Sequence, residues 1–208
     1  MKTFKKLLIT LSLSVPLVFG FSVIHSEAST THTVQAGDTM WKIAVKYQVG
    51  VAELISANPS VKNVNLIYPG QQLTIPQKNV TRSAELKVVD LVNVERAKYN
   101  LAPLKENWEL SRVARFKSQD MIDKNYFNHN SPTYGTPFDM IKNFGISYRA
   151  AGENIAAGQQ TPEDVVKAWM NSEGHRKNIL STQFTEIGVG YVKGGSYGHY
   201  WTQMFISR

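Results

Sequence analysis

The chain has 208 residues, of which 42% are hydrophobic and 19% charged. That balance is ordinary for globular protein and excludes a disordered or collagen-like chain. Basic residues number 23 and acidic residues 16, a net charge of +7, and there is no cysteine. Disulfide frameworks, thiolate zinc sites, iron–sulfur clusters and cysteine nucleophiles are therefore excluded together.

Lys2, Lys5 and Lys6 precede an apolar run over residues 7–24, and Ser26-Glu27-Ala28 follows. Ser26 and Ala28 place small residues where a signal peptidase reads them, which predicts a secretory signal peptide cut after Ala28. An uncleaved anchor is the alternative, since the run is about long enough to span a bilayer. Pro16 and the serines at 12 and 14 argue against it. Cleavage removes three lysines and one glutamate, so the charge falls from +7 to +5 and no stable membrane anchor remains. A basic exported chain suits an anionic envelope polymer. Nucleic acid is not expected as a partner, because the charge is dispersed with no arginine-rich run. Export without cysteines fits a Gram-positive bacterium.

Residues 32–76 form a small module that closes with Pro69-Gly70 and Ile75-Pro76. Residues 77–83 are short and polar and read as a linker, and 84–208 form a larger module. In the small module, His32 to Gln35 alternates as a strand does. Asp38 or Thr39 can cap the helix that follows, with Ile43, Ala44 and Tyr47 at helical spacing. A second helix is expected from Val51 to Ala57, stopped by Asn58-Pro59. Gln72 to Ile75 reads as the closing strand. Trp41 and Ile43 are expected in the core.

Thr33-Val34, Gly37-Asp38-Thr39, Trp41-Lys42-Ile43-Ala44, Ala57-Asn58, Tyr68-Pro69-Gly70-Gln71 and Ile75-Pro76 occur in an order that resembles the LysM family. The resemblance implies a βααβ module that binds N-acetylglucosamine-containing glycans, either peptidoglycan or a chitin-like polymer. It places the glycan groove at Gly37, Asp38, Thr39, Met40, Asn58, Ile67, Tyr68 and Pro69. Asp38 and Asn58 have a competing reading as caps and turns.

In the large module a helix is expected from Ala84 to Lys98, with Val88, Leu91 and Val92 on one face. Asn107 can cap a second helix whose inner face carries Leu110, Val113, Ala114 and Met121. A third is expected over Thr136 to Phe144. Thr161-Pro162-Glu163-Asp164 is a helix start with a hydroxyl cap, a first-turn proline and acids near the positive end. Ile187 to Val192 and Tyr200 to Ile206 read as strands around a Gly194–Gly198 turn. Helices first and most strands last favour α+β over a doubly wound sheet.

His129, Glu153 and His175 each lie beside Gly or Pro or at a helix end, where loops commonly present functional groups. Two histidines with one or two carboxylates can bind a divalent metal or act as acid and base, or can simply knit loops together. The spacing is not that of the HExxH metalloproteases.

The stretches LVNVERAKYNLAPL, YFNHNSPTYGTPFDMI, AGENIAAGQQTPEDVVKAWMNSEGHRKNIL, FTEIGVGYV and YWTQMF resemble the bacterial branch of the CAP superfamily, also called SCP-like domains. The resemblance implies an α-β-α sandwich with a cleft of two histidines and two acids, metal-binding in some members. It transfers His129, Glu153 and His175 to that cleft as catalytic candidates, and His129 and His175 as ligands of a divalent ion such as zinc. Ser172 stands where other members carry the fourth residue, and the adjacent Glu173 is the candidate substitute. Asn93, Arg96, Arg176 and Asn178 are expected to be structural, Tyr200 and Trp201 to be packing residues, and His199 to sit at a strand entrance.

These readings give an exported protein of the wall or envelope, the spore envelope included. LysM would hold it on glycan, and the CAP cleft would present a His/Glu site to a ligand the motifs do not name. A metal-assisted wall or peptide hydrolase is the alternative, and no reaction is specified by the motifs.

Overall fold

The computed structural model describes residues 30–76 and 81–208. The expected signal peptide and most of the linker lie outside the described residues.

The small module runs β1 (Thr30–Thr33), α1 (Met40–Tyr47), α2 (Val51–Ser56) and β2 (Gln72–Ile75). The strands pair antiparallel, with Thr30 opposite Ile75 and Thr33 opposite Gln72. Thr39 is the cap of α1, accepting a hydrogen bond from the Lys42 amide. Asp38 does a different job: its carboxylate accepts from the Gln35 amide and meets the buried His32 ring, which also meets the Tyr47 hydroxyl. Val34, Met40, Ile43, Ala44, Leu54, Leu73 and Ile75 make the core.

Trp41 corrects one expectation. It is 64% exposed, while Ile43 is buried as expected. The inner face of α1 is the stripe Met40, Ile43 and Ala44, and the helical turn of about 100° per residue carries Trp41 off the edge of that stripe.

The large module runs α3 (Thr81–Ala97), β3 (Lys105–Glu106), α4 (Trp108–Asp123), α5 (Pro137–Asn143), β4 (Ala150–Ala157), α6 (Pro162–Asn171), α7 (Glu173–Ile179), β5 (Glu186–Lys193) and β6 (His199–Ser207). The caps act as the sequence indicates. Asn107 accepts from the Leu110 amide, Thr136 and Asp139 form a reciprocal capping box, and Thr161 accepts from the Asp164 amide. The sheet has the order β3-β5-β6-β4, with β3 and β5 parallel and the other pairs antiparallel.

Helices cover both faces of this sheet. Leu110, Val113 and Ala114 of α4 and Met140 and Ile141 of α5 pack with Met204 and Ile206 on one side. Val88 and Val92 of α3 and Val165 and Trp169 of α6 pack with Ile187, Val189, Trp201 and Phe205 on the other. Because side chains alternate along β6, one strand feeds both cores. This is an α-β-α sandwich within the α+β class.

α4 approaches β5 without intervening side chains. A Cβ added at Gly190 would lie 2.1 Å from the Arg115 nitrogen, and one at Gly188 would lie 2.4 Å from the Leu110 carbonyl carbon. Elsewhere Arg96, 2% exposed, donates to the carbonyls of Ala102, Ile179 and Ser181, and Asn93 exchanges hydrogen bonds with Leu104. Both are structural, as expected. So are Tyr200 and Trp201, which are fully buried. His199 opens β6, where its ring stacks on Tyr191.

The two modules meet at α2 and α4. Arg112 donates to both carboxylate oxygens of Glu53, at 2.7 and 2.9 Å, with its guanidinium over the rings of Phe116 and Phe144. Gly50 lies beneath this pair, and a Cβ there would fall 2.2 Å from Arg112 Nε.

Candidate functional site

Two sites emerge, one in each module. In the small module a cavity of about 260 Å³ opens between the β1–α1 turn and the residues before β2. Asp38, Thr39, Met40 and Ile67 line it, together with Trp41, Val51, Ile55, Val64 and Asn65. The walls are mostly apolar with a few polar groups, which suits sugar faces and N-acetyl groups. The left-handed Gly37 shapes the adjoining turn, and Tyr68 is 59% exposed nearby in sequence. Neither Tyr68 nor Pro69 lines the cavity itself. The Gln35 amide, with His32 beside it, holds Asp38 below the usual carboxylate range.

Asn58 is a correction. It is 5% exposed, and its amide nitrogen donates to the Leu54 and Thr74 carbonyls while its oxygen accepts from the Thr74 amide. Its side-chain amide ties α2 to β2, and it does not line the cavity. The structural reading of this residue is the one observed. Trp41 and Val64 are groove residues that motif matching passed over. Trp41's position one residue off the apolar stripe was the signal available.

In the large module the loop before α5, strand β4 and helix α7 bring three of the expected residues together. Glu153 lies in β4, an extended edge strand, rather than in the loop that its glycine neighbour suggested. Its carboxylate is 2% exposed, and Oε1 accepts from His129 Nδ1 at 2.7 Å. Glu153 Oε2 is buried with no hydrogen-bond partner. The His129 side chain is 51% exposed. His175 lies on α7, where its carbonyl accepts from Asn154, the residue after Glu153. Burial, and then the charge of His129, holds the His175 imidazole below its ordinary range.

A group that the sequence did not flag supports this pair. Lys117, on α4, is fully buried and donates from Nζ to the His129 carbonyl. Burial lowers its affinity for a proton, while the charges of Glu153 and Asp120 work in the opposite sense. Asp120 in turn accepts from Ser131, Thr133 and Tyr126, which fixes the loop that carries His129. Burial pushes the Glu153 carboxyl up, opposed first by the His129 hydrogen bond and then by Lys117. A lysine at a helical core position reads as a surface residue in sequence; only its spatial neighbours reveal the role.

The remaining expectations are distributed as follows. Asn178 donates to the Glu153 carbonyl and to Asn154, and Arg176 to the Met170 carbonyl, so both pin α7. Glu173 is exposed at the first position of α7, with no hydrogen bond or ion pair among the described residues. No group of three His, Asp or Glu side chains among the described residues is arranged to hold a metal ion. His129 Nδ1 is engaged by Glu153, which leaves Nε2 as that ring's available donor to a proton or a metal ion. Chemically, the arrangement is a carboxylate-oriented imidazole. An ionised Glu153 keeps the proton on Nδ1 and leaves the Nε2 lone pair free to accept a proton.

Known proteins can now be compared with this geometry. The LysM domain family matches residues 32–76, and the CAP family, described as the Cysteine-rich secretory protein family, matches residues 89–205. The chain belongs to the CAP family. It carries a LysM domain before the CAP domain, in the order read from the sequence. The uncharacterized protein YkwD of Bacillus subtilis is 63% identical over 142 residues, which are 65% of this chain and 54% of that protein. The N-acetylmuramoyl-L-alanine amidase sle1 of Staphylococcus epidermidis is 35% identical over 71 residues, 34% of this chain and 21% of its own length. This chain thus spans about half, or less, of the curated relatives it matches. Among solved structures, an extracellular protein containing a SCP domain from Bacillus anthracis is 36% identical with a TM-score of 0.57. That match covers 67% of this chain and 47% of the other. No described helix of the CAP or LysM domain is long and apolar enough to cross a membrane.

Proposed function

We propose that this is an exported, wall-associated protein whose LysM domain binds N-acetylglucosamine-containing peptidoglycan and holds the CAP domain against it. The observation that carries the reading is the LysM groove, an apolar cavity flanked by Asp38, Thr39 and the exposed Trp41 in a domain of the matching family. An amidase and an extracellular SCP-domain protein among the relatives support an envelope setting. Mature protein should sediment with purified cell walls, and Trp41→Ala should weaken that retention without unfolding the domain. Full retention of the variant would move the anchor elsewhere.

A second reading concerns the CAP cleft, and the His129–Glu153 pair favours it. With Nδ1 held by Glu153, His129 would use Nε2 to take a proton from water or a substrate hydroxyl as that oxygen forms its new bond. His175, whose imidazole burial holds below its ordinary range, would accept or relay that proton. Glu173 and a divalent ion between the two histidines are further candidates for this site. Incubating wild-type protein and His129→Ala with peptidoglycan, with and without zinc, and analysing released fragments by mass spectrometry tests the reading. Fragments that vanish in the variant establish a hydrolase. Retention on the wall with no fragments leaves a targeted binding protein.

A further inference from the structure

The LysM groove does not end at the edge of its own module. A second cavity, about 190 Å³, lies where the modules meet and shares Trp41 and Val51 with the first. Its CAP side is formed by Trp108, Arg112 and Phe144. A third cavity, about 380 Å³, lies on the CAP module and shares Glu109 and Ile146 with the second. The three hollows are therefore linked in series through shared wall residues.

The chemistry changes along this path. The LysM end is apolar with small polar groups. The joint adds the exposed face of Trp41 and the half-buried Trp108. The far end carries two guanidinium groups, Arg149 and Arg208. Arg149 is exposed, and its side chain has no partner among the described residues. Arg208 reaches Glu109 and Glu186 only at 3.6 and 3.5 Å. Glu186 is already engaged by the Asn107 side-chain amide. Lys142 lies over the ring of Tyr148, a wall residue of this mouth.

The joint is built to keep its shape. The bidentate Arg112–Glu53 pair is only partly exposed, and Gly50 leaves no space for a side chain beneath it. A two-pronged guanidinium–carboxylate contact fixes orientation as well as distance.

We propose that the three cavities form one extended track for a carboxylate-bearing N-acetylated glycan. The strand held in the LysM groove crosses the joint over Trp41 and Trp108 and sets a carboxylate against Arg149 and Arg208. This rests on the glycan reading of LysM given above. The CAP domain then contributes to wall recognition through a face separate from the His129–Glu153 cleft. A ligand that bridges both modules gains from the second contact because the first has already placed it there.

Titration calorimetry of the mature chain with two probes of equal sugar number tests the track. One is uncharged chitotetraose, and the other a peptidoglycan-type tetrasaccharide that bears carboxylates. The carboxylated probe binds more tightly, and its advantage shrinks with added salt. Arg149→Glu weakens the carboxylated probe about tenfold, as expected for losing a charge-assisted contact and adding repulsion, and leaves chitotetraose unchanged. Trp41→Ala weakens both. Arg149 is exposed, so its variant should keep the wild-type melting curve, which is recorded alongside. Equal binding of the two probes by wild type, or an Arg149→Glu variant indistinguishable from it, overturns the track while leaving the LysM reading intact. Wild-type protein that binds neither probe overturns both. Concentration-dependent dimerisation abolished by Arg149→Glu would assign the basic mouth to a second copy of the chain and would also overturn the proposal.

Discussion

Replacing Gly190 with alanine puts one methyl group between α4 and β5. The new Cβ would sit 2.1 Å from the Arg115 nitrogen and 2.2 Å from the Ala114 carbonyl carbon, both backbone atoms. Ordinary contact begins near 3.4 Å, so helix and sheet must part by about 1.3 Å at that point. No side-chain rotation can relieve the clash. Overpacking a core costs about 1–3 kcal/mol when side chains can yield, and a backbone clash belongs at or above the upper end. About 3 kcal/mol is therefore expected, a large share of the roughly 5–15 kcal/mol that holds a domain folded. Urea denaturation followed by the fluorescence of the buried Trp169 and Trp201 measures it. Gly174→Ala is the control: nothing lies within 4 Å of its Cβ, and it sits in a helix. That substitution should be neutral or stabilise by up to about 1 kcal/mol. A Gly190→Ala variant within about 0.5 kcal/mol of wild type would refute the claim that α4 and β5 touch backbone to backbone.

Asn58→Ala removes three hydrogen bonds, one to α2 and two to β2, and should cost about 2–3 kcal/mol, read as a lowered LysM melting transition; an unchanged transition would return Asn58 to the glycan groove. Lys117→Met takes a positive charge from beside Glu153, so the Glu153 carboxyl should titrate at higher pH in carbon-detected NMR; an unmoved titration would separate Lys117 from the site. Glu85, 1% exposed, is pushed up to about 7 by burial despite Arg115 and Arg82. A raised folded-state value contributes stability that is present below the ordinary carboxylate range and lost as pH rises toward 7, so Glu85→Gln should flatten stability between pH 4.5 and 7. The same slope in both proteins would count against it. Glu53→Arg should loosen the joint and Arg112→Glu in the same chain should restore it, a coupling of up to about 1 kcal/mol in a double-mutant cycle.

Local signals carried most of the fold. Asn107, Thr136 and Thr161 announce helix starts because each cap depends on a side chain and an amide three residues on. The β5–β6 hairpin is legible because two runs rich in β-branched and aromatic residues flank a glycine turn. β4 is not, since Ala-Ala-Gly-Glu-Asn-Ile-Ala-Ala has one β-branched residue and small side chains elsewhere. Its strand state comes from full-length pairing with β6, a contact remote in sequence. The same limit applies to the cleft. His129, Glu153 and His175 were legible as residues through the CAP resemblance, while Lys117 and Asp120 act through neighbours that only folding supplies. The basic mouth at Arg149 and Arg208 was equally hidden, because its cations are far apart in the chain.

Strand β4 also bears on how the protein behaves beside other chains. It is the last strand of its sheet, and an open edge invites pairing with another chain. Here the Asn178 side chain of α7 already donates to the Glu153 carbonyl, so the edge is plugged at its middle by the helix that presents His175. Anything that peels α7 away would therefore disassemble the cleft and unmask a sticky edge in one motion. Keeping that short helix seated guards solubility and the His/Glu site together.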